Sequence, residues 1–183
     1  MRSMRWLAIA AAAGACSAGV AIAASQSAET SPVTADFQAS IVAQKQRQCD
    51  PDHIRFRVTF AGTQTSSDPR LSGDLTVRAR SVVNTANGYG YTRAKVRLSD
   101  PSTGRPTFNG HAVGVIEPDG GSEGFLTGRT IGPGSMRLLA NFNLQQDLTT
   151  GALTGEVGKD TQSGASQDPA ILTNACRKGH GHR

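Results

Sequence analysis

The chain predicts an all-β fold, an antiparallel up-and-down barrel of about eight strands, with a two-sheet β-sandwich as the alternative. Three observations carry this. Hydrophobicity alternates with period two in one segment after another, while helical periodicity is nearly absent. Clusters of Gly, Asn, Asp and Pro separate these segments at short intervals. The 183 residues, less an apolar leader, leave room for one core and no second domain.

Residues 1–24 have the pattern of a signal peptide. Arg2 and Arg5 precede an alanine-rich apolar run that closes on Ala21-Ile22-Ala23, and polarity rises at once in Ser25, Gln26 and Ser27. Export is therefore expected, with release to the outside. Cys16, behind Gly14-Ala15, leaves a lipid anchor as the alternative. Residues 25–48 read as a polar segment with a short strand or helix around Phe37 to Val42.

The strands are then expected at 53–60, 74–83, 90–99, 106–117, 122–131, 135–145, 151–157 and 169–176. In the first, Ile54, Phe56, Val58 and Phe60 alternate with His53, Arg55, Arg57 and Thr59, which assigns one set to the core and the other to water. The same reading puts Leu75, Val77, Ala94, Val96, Met136, Leu138 and Phe142 inside. It puts Arg78, Arg80, Arg93, Lys95 and Arg97 outside. Turns fall at Asn84 to Gly90, Asp100 to Gly104, Pro118 to Gly121, Gly132 to Gly134 and Asp147 to Gly151. Thr161 to Asp168 reads as a loop, and 177–183 as a basic, His-containing tail.

Once the leader is removed, Cys49 and Cys176 bracket a single domain over 49–176. In an oxidising compartment two such thiols are expected to pair. Up-and-down order would also bring them together if the first and last strands closed a barrel.

The hairpin rhythm of residues 50–176, with segments such as Gly73-Asp74-Leu75-Thr76-Val77 and Gly151-Ala152-Leu153-Thr154-Gly155, resembles secreted bacterial small β-barrels of calycin or dirigent-like shape. That resemblance implies either the holding of small apolar ligands or the steering of reactive intermediates. It supplies no site residues.

No catalytic constellation is expected. The body carries only His53 and His111, and no GxSxG elbow. Glu117, Asp119, Glu123 and Glu156 could be paired as glycosidase acids, but three of them lie in or beside one turn. No metal or cofactor site is expected: His180 and His182 lack a third ligand at fixed spacing, and Asp50 and Asp52 make no calcium loop. The formal charge is +5. Arg2, Arg5, Arg177, Lys178 and Arg183 account for it, so the body from Ala24 to Cys176 is neutral and global charge does not point to nucleic acid.

Two features carry the functional expectation. Arg55, Arg57, Arg78, Arg80, Arg93, Lys95 and Arg97 share an outer face fit for an anionic polymer or surface. The bulky candidates for the interior, Phe56, Phe60, Met136, Leu138 and Phe142, face Gly110, Ala112, Gly114, Gly124 and Gly128, and so either fill the barrel or leave a calyx. The expected function is a secreted, non-catalytic binding or interaction protein. The alternatives are a calyx-type enzyme or directing protein using His111 or Tyr91 on a small apolar molecule, and a structural envelope protein with no ligand.

Overall fold

The computed structural model describes residues 30–158 and 170–173. Ten strands run through them: β1 (Thr30–Val33), β2 (Ala35–Asp50), β3 (His53–Ser66), β4 (Gly73–Asn84), β5 (Gly90–Ser99), β6 (Pro106–Ile116), β7 (Gly121–Thr130), β8 (Arg137–Gln146), β9 (Ala152–Val157) and β10 (Ala170–Thr173). Strands β2 to β9 form a closed, eight-stranded antiparallel barrel in which each pairs with the next and β9 returns to β2. Following the pairings once round brings the chain back to β2 displaced by on the order of ten residues, a stagger that tilts the strands and widens the barrel.

The strand that opens this ring lies in the segment whose sequence reads as polar, residues 25–48. Its first half buries Ala35, Phe37 and Ala39 and pairs with β3 on one edge and β9 on the other. The pairing shifts between Ile41 and Ala43, making a bulge at Val42. One extra residue reverses which side chains face in. Phe37, Ala39 and Ile41 therefore point inward before the bulge and Gln44 after it. Lys45 and Arg47 are left outside, opposite Arg57 and Arg55. From Ala43 onward both faces of the strand are exposed.

The expected final strand, 169–176, is the short β10. It pairs with β1 and with the start of β8, so β9 rather than this strand seals the ring against β2.

The two ends of the barrel differ. At the end holding the 66–73, 99–106 and 130–137 connections the interior is solid: Leu71, Leu98, Phe108, Met136 and Leu138 are fully buried. A 3-10 turn, Pro69–Leu71, drives Leu71 into this core. Asp68 caps it by accepting from Arg70 N at 2.9 Å, and Gln64 Nε2 donates to the Leu71 carbonyl at 2.8 Å. The ring of Phe108 occupies the space a Cβ would need at Gly110 and Gly128, so here large residues do interdigitate with small ones.

Three connections are built alike: Asn84 to Gly88 and Asp147 to Gly151 at the other end, and Asp100 to Gly104 at the solid end. In each the leading side chain accepts from two backbone amides and its carbonyl accepts from the closing glycine. Gly104 and Gly151 sit at φ of 66° and 74°, where a side chain would be strained.

Candidate functional site

Above the solid half the barrel is hollow. A cavity of about 620 Å³ opens between the 84–90, 116–121 and 146–152 connections, with Gly88, Pro118, Leu148 and Gly151 at its rim. Its walls are apolar: Phe37, Phe56, Phe60, Leu126 and Phe142 supply the bulk, and Ala79, Ala94 and Ala112 supply the space. The volume falls within the range of pockets that enclose a drug-sized molecule, roughly 300–1,000 Å³. The reason for the hollow is local. On β4 to β6 the inward residues above the core shrink to Ala79, Ser81, Thr92, Ala94 and Ala112, too small to fill the space across a widened barrel.

The polar groups of this wall are few and mostly engaged. Ser81 Oγ donates to Thr92 Oγ1 at 3.0 Å, and Ser122 Oγ to the Val115 carbonyl at 2.6 Å. Gln64 is committed to the Leu71 carbonyl. One proton of the Ser81–Thr92 hydroxyl pair is used in their mutual bond, and the other is left for a guest. Gln44, Gln146 and Glu117 border the cavity as well, and Glu117 is the one carboxylate among the lining residues.

Of the expected interior residues, Phe56, Phe60 and Phe142 line the cavity, while Met136 and Leu138 belong to the solid end. His111 and Tyr91 do not reach it: both are exposed on the outer wall, because they fall on the outward phase of β6 and β5. Of the acids expected as a possible pair, Glu117 and Asp119 stay together beside Gly121 at one turn, while Glu123 and Glu156 lie on β7 and β9. Asp119 holds its turn by accepting from Gly121 N at 2.8 Å, and Glu123 is exposed. Glu156 borders a shallow polar hollow of about 430 Å³ on the outside of the wall, shared with Asp36, Gln38, Asn143 and Thr154.

The basic face is assembled as expected and is larger. Arg55, Arg57, Arg78, Arg80, Arg93, Lys95 and Arg97 are all exposed, on β3, β4 and β5. Lys45 and Arg47 of β2 join them, residues whose sign was visible but whose strand was not. Pairing aligns them directly: Lys45 faces Arg57, Arg57 faces Arg80, and Arg80 faces Arg93. Beside that row stand Arg47 opposite Arg55 and Arg78 opposite Lys95. The ion pairs among the described residues are His53 with Asp50 at 2.8 Å and Arg70 with Asp68 at 2.6 Å, so these cations take part in none. The His53 hydrogen bond holds the Asp50 carboxyl below its ordinary range, and the Arg70 guanidinium does the same for Asp68. Beyond the row the outer wall turns apolar, with Tyr91, Val113, Val115 and Phe125 at least half exposed.

Cys49 is an exposed, unpaired thiol near the end of β2. Cys176, like Cys16, His180 and His182, lies outside the described residues. The expected bridge between Cys49 and Cys176 therefore involves a residue outside the described ones.

Among the described residues no group of three metal-ligating side chains converges, and no helix is long and apolar enough to cross a membrane. No family model, curated protein or solved structure matches the chain.

Proposed function

We propose that this is a secreted, non-catalytic binding protein that holds a small apolar molecule inside its barrel. The observation that carries the reading is the cavity of about 620 Å³, apolar in its walls and open at one end. A guest gains by removing its own apolar surface, and that of the Phe37, Phe56, Phe60 and Phe142 rings, from water. With Ser122 engaged in the wall, the fitting guest is mostly hydrocarbon with one hydrogen-bond acceptor that can meet the remaining proton of the Ser81–Thr92 hydroxyl pair. Binding is favoured over directed chemistry because His111 and Tyr91 point away from the cavity, and Glu117, at the mouth, is its one titratable lining residue. This function matches the ligand-holding side of the calycin-like resemblance.

The test uses N-phenyl-1-naphthylamine, a neutral apolar fluorophore that does not compete for cationic surfaces. Wild-type protein is expected to bind it with enhanced fluorescence at a stoichiometry of one. Ala94→Trp and Ala79→Trp, which fill the hollow from β5 and β4, are expected to weaken binding at least tenfold while the far-ultraviolet circular dichroism stays unchanged. Equal binding by wild type and the two folded variants would exclude the cavity as the site.

A further inference from the structure

The row of cations on the outer wall is unfavourable for the fold, and that is what makes it informative. Like charges directly opposite each other on neighbouring strands destabilise a sheet. Here Lys45, Arg57, Arg80 and Arg93 stand in one line across β2, β3, β4 and β5, with Arg47–Arg55 and Arg78–Lys95 as flanking like-charge pairs. None of them takes part in an ion pair among the described residues. Cations do blunt an exposed sheet edge against aggregation. That accounts for Lys45 and Arg47, on the stretch of β2 that β9 does not cover, but not for β3, β4 and β5, which are paired on both sides.

We propose that this outer face is a binding surface for an acidic polysaccharide, a flexible chain bearing sulfate or carboxylate groups. Three properties of the face select that partner. Its spacing suits a linear polyanion: neighbouring strands place cations about 4.8 Å apart across the barrel, and alternate residues place Arg93, Lys95 and Arg97 at steps of roughly 6.7 Å along it. Its curvature suits a chain that bends, since the row spans four of the eight strands and so wraps about half the circumference. A flat bilayer meeting that surface would leave the ends of the row beyond about one Debye length, some 8 Å in physiological salt. Its composition suits sulfate and carboxylate, because arginine forks engage such groups with two hydrogen bonds and arginine outnumbers lysine here. Single-stranded nucleic acid is the poorer fit. Successive bases need a series of aromatic platforms, and Tyr91 and Phe125 lie only at the margin of the face.

The experiment measures affinity for heparin, as a sulfated polysaccharide, over a salt series. Poly(dT) and phosphatidylglycerol vesicles at equal ionic strength serve as competing polyanion and membrane. Wild type is expected to bind heparin most tightly of the three, with affinity falling steeply as salt rises. Arg57→Glu/Arg80→Glu/Arg93→Glu is expected to lose roughly a hundredfold at low salt, yet to titrate with N-phenyl-1-naphthylamine as wild type does, since these side chains point away from the cavity. Should that variant misfold, Arg80→Gln decides. It relieves repulsion, so it is expected to raise the melting temperature while weakening heparin binding. Unchanged heparin affinity in the folded variants, or tighter binding of poly(dT) or vesicles by wild type, would overturn the proposal.

Discussion

Phe142 and Leu138 share the inward face of β8, one above the other, yet they meet different surroundings. Leu138 is packed on all sides in the solid end, whereas Phe142, with Phe56 and Phe60, borders empty volume. Truncation should separate the two environments. Leu138→Ala removes contacts that nothing can replace and is expected to cost on the order of 2–5 kcal/mol. Phe56→Ala is expected to fall below the roughly 3–5 kcal/mol usual for a buried phenylalanine, because part of its ring faces the cavity. Arg78→Ala, on the exposed phase of β4, should stay within about 0.5 kcal/mol. Urea unfolding at equilibrium checks all three. An Arg78→Ala loss equal to that of Leu138→Ala would mean that the inner and outer faces are interchanged. At this scale the sequence was highly legible: strict alternation over 53–60 and 90–99 sorts side chains by face, since neighbouring residues of a strand must point opposite ways. Depth along the barrel was not legible. Leu138 and Phe142 obey the same alternation, and the size of the inward residues that face them across the barrel decides which level is filled.

Turns and one bulge do the same sorting for whole elements. Asp100 and Asp147 open two of the matching turns. The Ser102 hydroxyl, followed by the Ser102 and Thr103 amides, lowers the pKa of Asp100. The Thr150 hydroxyl, followed by the Thr149 and Thr150 amides, lowers that of Asp147. Asp68, lowered chiefly by Arg70, caps the turn beneath the core. A carboxyl that is more acidic in the folded chain contributes stability above its unfolded pKa, about 3.9, and loses it as pH falls through the folded value. Thermal stability is therefore expected to be level near neutrality and to drop in acid below about pH 4. Asp100→Asn/Asp147→Asn keeps an acceptor oxygen at each turn but removes the titration, and should flatten that drop. An acid profile identical to wild type would show that these carboxylates do not contribute. The turns were legible because Asx and glycine at fixed spacing have a mechanism. β2 was not. Ala35 and Ala39 carry little hydrophobic signal, the bulge at Val42 reverses the phase midway, and beyond it Gln44, Lys45, Gln46, Arg47 and Gln48 are polar on both faces.

Closure of the whole barrel depended on that strand. With β2 in place, the ring closes through β9, and β10 is displaced onto β8. Cys49 is an exposed thiol, so a thiol reagent is expected to label it in native, unreduced protein. A protein lighter by two hydrogens, with Cys49 unreactive, would overturn that expectation and establish the bridge to Cys176, and Cys176→Ser would then cost the roughly 2–5 kcal/mol of a lost native disulfide. The sequence by itself determined the all-β class, the antiparallel order, the turn positions and the sidedness of the arginines, because each follows from contacts between residues near in the chain. Tertiary structure alone decided three things. It chose which strand closes the ring, it made the interior solid at one end and hollow at the other, and it aligned Lys45, Arg57, Arg80 and Arg93 in a single row. Each depends on register and stagger summed over all eight strands. No local pattern encodes that sum, because a displacement of one or two residues at any pairing changes it.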